Sequence, residues 1–264
     1  MISLSFKSVF VMAVLAVSSA AGQRDGPDSS DLYPDDFFGQ RVHLLRNKPW
    51  LWGLPGRTVI SFNGPKDARV AFEKGDKATE KRKWVEARSQ LEKAVGIYPQ
   101  YVEAWCALGD VYREQNEPEQ ARKAFKEAVF IAPEFATPYF GLAELSMHDQ
   151  NWQEMAENTR VLLKLNNSAG AYAYDALANL NLNHLDAAEK SAREGIRIDR
   201  YRAVPQNLHL LGVILMRKGD YVGARVYLKK YLKVARGAPE KAIVRKEIAA
   251  CEAKHAAQPR DAKQ

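Results

Sequence analysis

The chain has 264 residues, of which 46% are hydrophobic, 10% aromatic and 27% charged, enough apolar material for a substantial core. With 16 Gly, 12 Pro and only 2 Cys it is neither a low-complexity chain nor a disulfide- or zinc-stapled scaffold. The formal charge of +7 is local, because residues 217–246 hold ten Lys and Arg against Asp220 and Glu240 while the rest is nearly neutral, which describes a chain with one basic end.

Lys7 precedes an apolar run from Val9 to Val17, followed by Ser18, Ser19, Ala20, Ala21 and Gly22. A cationic start, a short apolar stretch and small residues predict a secretory signal peptide over 1–21, cut after Ala21. The run is half the length of the ~20 residues that a membrane-spanning helix needs. The expected location is periplasmic or secreted. Residues 22–66 predict an irregular arm: Asp25 to Asp36 is acidic and turn-rich, and Phe37 to Phe62 is aromatic and broken by Gly39, Pro49, Gly53 and Pro55-Gly56. Thr58 to Phe62 reads as a short extended piece. Phe37, Phe38, Trp50 and Trp52 either pack this arm onto the first helices or form a ligand or membrane-interface patch.

From residue 67 the chain is periodic. Trp105, Leu108, Gly109 and Tyr112, then Ala121, Phe125, Ala128 and Pro133, spell W-x2-L-G-x2-Y, A-x3-F and a closing Pro. The same places one period of 34 residues earlier hold Gly75, Ala87, Leu91, Ala94 and Pro99, and one period later Tyr139, Leu142, Ala143 and Met155. A fourth unit is expected on Tyr174, Leu177, Ala178 and Ala188, with two residues lost near Asn183, and a fifth on Leu211, Gly212, Gly219 and Ala224. Small residues let paired helices approach, and Pro99 and Pro133 stop the second helix of a pair. After Gly237, Pro239 opens a predicted capping helix over 237–254 that turns Val244, Ile248 and Cys251 inward and Lys241, Arg245, Lys246 and Glu247 outward. Residues 255–264 are expected to be a disordered tail.

This pattern resembles the tetratricopeptide repeat superfamily over 67–236, and with the signal peptide it looks like secreted bacterial proteins of that class. The resemblance implies an all-α fold: a right-handed superhelix of about five helix-turn-helix repeats, a C-terminal capping helix and a short irregular N-terminal arm. It also implies a protein or an extended peptide bound on the concave side, lined by the first helix of each repeat. Mapped onto this chain, that lining is Arg69, Phe72, Asp76, Thr79 and Glu80; Glu103, Cys106, Asp110, Arg113 and Glu114; Thr137, Phe140, Glu144, Met147 and His148; Tyr172 and Asp175; His209, Val213, Met216 and Arg217. In its N-terminal half, six carboxylates face two arginines, with aromatic contacts between them, which suits a basic and apolar peptide.

Signs of chemistry are missing. The five His are scattered, with no H-E-x-x-H pair, and G-x-S-x-G, G-x-G-x-x-G and the phosphate-binding loop pattern do not occur. Asp28, Asp31, Asp35 and Asp36 lack the Gly and terminal Glu of a calcium loop. Cys106 and Cys251 lie about three repeats apart, too far to bridge. The expectation is therefore a non-enzymatic exported interaction scaffold with no cofactor, no metal and no nucleic acid. Two alternatives remain open: a binder of anionic envelope surfaces through Lys229, Lys230, Lys233, Lys241, Arg245 and Lys246, or a non-catalytic accessory subunit of an enzyme complex.

Overall fold

The computed structural model describes residues 64–200, 204–235 and 241–257. The expected signal peptide, Thr58 to Phe62 and nearly all of the arm and tail lie outside these residues. Among the described residues the secondary structure is eleven helices. Five antiparallel pairs are followed by one last helix: α1 (Lys66–Glu80) with α2 (Trp84–Ile97), α3 (Val102–Glu114) with α4 (Pro118–Ile131), α5 (Thr137–His148) with α6 (Trp152–Leu165), α7 (Ala169–Asn181) with α8 (Leu185–Ile198), α9 (Gln206–Arg217) with α10 (Tyr221–Val234), and α11 (Lys241–Ala257). The last helix runs to Ala257, past the expected boundary at 254.

The turn inside each pair shows why the chain repeats. Each first helix ends with a backbone N–H reaching back five residues: Lys83 to Ala78 (2.9 Å), Glu117 to Tyr112 (2.9 Å), Asn151 to Ser146 (2.8 Å), His184 to Asn179 (2.8 Å) and Asp220 to Leu215 (2.9 Å). The residue before each donor is left-handed: Arg82, Asn116, Gln150, Asn183 and Gly219. That is the closure by which a helix end satisfies its orphan carbonyls. Asn151 and Asp220 then cap the next helix, their side chains accepting from the N–H groups of Glu154 and Gly223.

These five left-handed residues correct the expected register of the fourth repeat. Counting back seven residues from each gives Gly75, Gly109, Ala143, Ala176 and Gly212. The fourth unit is thus one residue short, not two, and its equivalents of Trp105, Leu108, Gly109 and Tyr112 are Tyr172, Asp175, Ala176 and Asn179 rather than Tyr174, Leu177 and Ala178.

Packing at that small position follows a volume rule. A Cβ on Gly75 would lie 2.7 Å from Leu91, one on Gly109 would lie 2.7 Å from Phe125, and one on Gly212 would lie 2.6 Å from Leu228. In the third and fourth pairs the small residue is Ala, and the matching partners are Thr159 and Ala192. A large partner goes with Gly and a small one with Ala, as close packing at a shared helix crossing requires. Between pairs, the Trp105 indole donates to the Pro99 carbonyl (2.8 Å) and the Tyr139 hydroxyl to the Pro133 carbonyl (2.9 Å), tying each entering helix to the end of the one before. Arg88 reaches Glu117 (2.9 Å) and Arg122, one period later, reaches Glu154 (2.9 Å), each bridging successive repeats. First helices of neighbouring pairs touch along the stack, and no two second helices approach as closely, so the first helices form the inner side of the curve.

Candidate functional site: the inner face of the stack

At the N-terminal end of the inner face, α1 presents Arg69, Asp76 and Glu80 as exposed side chains, with Phe72 half-buried against Tyr101 at a ring separation of 5.0 Å. Loss of water on its protein-facing side, and then the charge of Glu80, raise the Asp76 carboxyl above its ordinary value although the side chain is exposed overall. On α3, Glu103 is half-buried and Cys106 is buried, so Cys106 belongs to the packing more than to an open surface.

The centre of the face is organised by Arg113, which is only 7% exposed. Its guanidinium lies 3.6 Å from Asp110 and 3.9 Å from Glu114 on its own helix, and it pairs with Glu144 on α5. Burial pulls the Arg113 guanidinium below its ordinary value, and Glu114 pushes in the opposite direction. A guanidinium remains charged under such pressure, so one cation serves three carboxylates. Glu144 also accepts from the Tyr174 hydroxyl (2.8 Å), whose ring meets Phe140 edge-on at 6.0 Å. Met147 is buried behind this cluster.

The C-terminal half differs from the expectation. Under the corrected register the inner positions of α7 are Gly170, Ala173, Leu177, Leu180 and Asn181, an apolar stretch without charge. Tyr172 and Asp175 therefore leave the lining. Asp175 occupies a core position, where it accepts from Thr159 (3.2 Å), Ser191 and Asn179 (3.0 Å). His209 is not open to the groove either. It stacks on Tyr231 at 5.2 Å, and its Nε2 lies 2.8 Å from Glu247 of the last helix. Glu247 is 6% exposed and faces the stack, not solvent as expected. The sequence held that signal, because 247 shares a helical face with 244, 248 and 251. Met216 packs against the C-terminal core, and Arg217 donates to Asn183 (3.1 Å).

The basic end is partly self-neutralised. Lys229 (3.4 Å) and Arg225 (3.6 Å) share Glu252, and Lys230 lies over the Tyr227 ring at 4.8 Å. Lys233, Arg245 and Lys246 are exposed, and Lys241 is half-buried. Cys106 and Cys251 are separate buried thiols. Among the described residues, no three His, Cys, Asp or Glu side chains are placed to hold a metal ion, and no helix is long and apolar enough to cross a membrane.

The comparisons agree with this architecture. Residues 78–144 match the tetratricopeptide repeat family model. No curated protein sequence matches the chain. A tetratricopeptide repeat protein from Parabacteroides merdae superposes with a TM-score of 0.61 at 15% identity, over 73% of this chain and 75% of that one. The MamA protein superposes with a TM-score of 0.57 at 22% identity, over 67% of this chain and 95% of that one. YrrB, described as a repeat protein with an unusual peptide-binding site, gives a TM-score of 0.57 at 16% identity over 68% of this chain and 92% of its own. Five closed helix pairs with the same turn in each, and a family match running from the end of α1 into α5, give the described residues the fold of a tetratricopeptide-repeat superhelix.

Proposed function

We propose that the chain is an exported, non-enzymatic interaction scaffold that binds an extended segment rich in basic and apolar side chains along its inner face. The observation that carries this reading is Arg113, buried among Asp110, Glu114 and Glu144, with Asp76 and Glu80 exposed at the places of Asp110 and Glu114 one repeat earlier. A single guanidinium leaves the centre of the face acidic, and the half-buried Phe72 and Phe140 offer apolar contact on either side. The peptide-binding site of the structurally similar YrrB supports a peptide as the class of ligand. Export rests on the predicted signal peptide, with cleavage after Ala21.

The test is fluorescence anisotropy with a labelled peptide of alternating Arg and Phe. Binding should weaken steeply between 50 mM and 500 mM salt, because exposed charge contacts are screened. The double substitution Asp76→Asn with Glu80→Gln should weaken it roughly tenfold, a loss of about 1.4 kcal/mol. Salt-independent binding, or binding indifferent to the double substitution, would reject the site.

Lys233, Arg245 and Lys246, exposed on the last two helices, favour a second reading in which this end touches anionic envelope surfaces. Co-sedimentation with anionic vesicles that survives Lys233→Glu with Lys246→Glu would rule it out.

A further inference from the structure

We propose that residues 37–62 of this chain are the resident ligand of its own inner face, an intramolecular occupant that an outside partner must displace. The proposal rests on the peptide-binding reading above and names what fills the site first.

Three observations converge on it. The first is chemical. Residues 37–62 contain Arg41, Arg46, Lys48 and Arg57, no Asp or Glu, and five aromatic side chains. The inner positions of α1, α3 and α5 carry six carboxylates, Asp76, Glu80, Glu103, Asp110, Glu114 and Glu144, against Arg69 and Arg113. The net excess of four negative charges there meets four positive charges in the segment.

The second is polarity along the stack. The acidic character is confined to α1, α3 and α5, whereas the inner positions of α7 hold no charged residue and those of α9 hold Arg217. Attraction is therefore concentrated at the end where the segment joins the repeats.

The third is reach. Only Asn63, Gly64 and Pro65 separate the segment from α1. Packed helices lie about 10 Å apart, so crossing from α1 to α5 takes about 20 Å. An extended chain covers about 3.3 Å per residue, so seven or so of the 26 residues suffice. Tethered this closely, the segment has an effective concentration on the order of millimolar, enough to hold off a weak external ligand without high intrinsic affinity. The acidic run from Asp25 to Asp36, immediately before it, carries the wrong charge for the same surface and bounds the occupant at residue 37.

The experiment uses the chain from Gly22 onward and a labelled synthetic peptide of residues 37–62 as the probe. The triple variant Arg41→Glu, Arg46→Glu and Lys48→Glu alters only the segment, and circular dichroism verifies that the repeats remain folded. The triple variant should bind the probe at least tenfold more tightly than the unaltered chain, and adding Asp76→Asn with Glu80→Gln should reverse most of that gain. Equal binding by the unaltered chain and the triple variant would overturn internal occupancy while leaving the peptide-binding reading intact. Failure of both to bind the probe would end both proposals. An advantage of the triple variant that vanishes on dilution would assign the occupant to a second copy and overturn the same-chain version.

Discussion

Phe125 is the residue around which the middle of the molecule closes. Its ring occupies the space that a Cβ would need at both Gly109, within its own helix pair, and Gly141, in the next. A side chain at either place must push a fully buried aromatic ring, and overpacking of this kind costs about 1–3 kcal/mol. Gly109→Ala and Gly141→Ala should therefore both lower the melting temperature. Gly96 is the internal control: it is exposed on α2, and nothing lies within 4 Å of a Cβ there. Gly96→Ala should raise stability by about 0.5–1 kcal/mol through helix propensity alone. An equal effect at all three sites would contradict the packing. Cys251 supplies a different test. Burial, and secondarily the charges of Glu247 and Glu252, push its thiol from an ordinary 9.0 up to about 11. The folded chain thus holds this proton more tightly than the unfolded chain. The resulting stability is complete below pH 9 and is lost as pH rises towards 11. Urea midpoints measured across that window should fall for the unaltered chain and fall less for Cys251→Ala. Tyr112, raised to about 12 chiefly by burial, will keep part of the slope in both.

At the level of elements, the turn is what repeats, and only one of its five left-handed residues is Gly. Asn tolerates that region, but Arg82 and Gln150 occupy it against a steric cost of about 1–2 kcal/mol. Gln150→Gly relieves the clash at the cost of a more flexible unfolded chain, so it should stabilise by a fraction of that amount, read as a shift of the urea midpoint at constant slope. A destabilised variant would mean that the Gln150 side chain makes contacts worth more than the strain. The same turn explains what could be read in the chain beforehand. The first three repeats and the fifth were legible because a Gly or Ala and its neighbouring large residues stand one period apart. The fourth was misaligned because its marks are replaced: Leu108 becomes Asp175, Gly109 becomes Ala176 and Tyr112 becomes Asn179. An aspartate in a leucine position is interpretable only when Thr159 and Ser191 are seen to donate to it. The acidic inner face could be listed from the sequence, but not its pairing. Arg113 gathers carboxylates from two different helices, so the partial neutralisation of the acidic centre is a property of stacking. His209 was misplaced for the same reason, because the last helix covers a surface that the other repeats leave open, whereas the inward place of Glu247 was legible from its helical face.

Across the whole molecule the core is unevenly joined. One continuous set of buried side chains runs from Ala143 and Met147 through Leu177, Leu211 and Leu228 to Val244 and Cys251, closed by the last helix. A separate set, from Ala68 through Leu91 to Leu108 and Val111, joins the first repeat to the first helix of the second. Small clusters around Cys106 and Phe125 bridge them. In a stack, each repeat is stabilised only by its neighbours, so an interruption of this kind permits one end to open before the other. Leu91 is fully buried at the centre of the N-terminal set. Leu91→Ala should cost about 2–5 kcal/mol, but only within the block that contains it. Trp84 and Trp105 pack against that block, and Trp152 packs against the C-terminal one, so tryptophan emission can report the two separately. In variants retaining Trp84 alone or Trp152 alone, Leu91→Ala should move the Trp84 midpoint to lower urea while leaving that of Trp152 within error. Leu211→Ala, in the larger block, should instead lower the Trp152 midpoint and carry less of its effect to Trp84. If both reporters shifted together in both variants, the five repeats would unfold as one cooperative unit and the division of the core would have no energetic consequence.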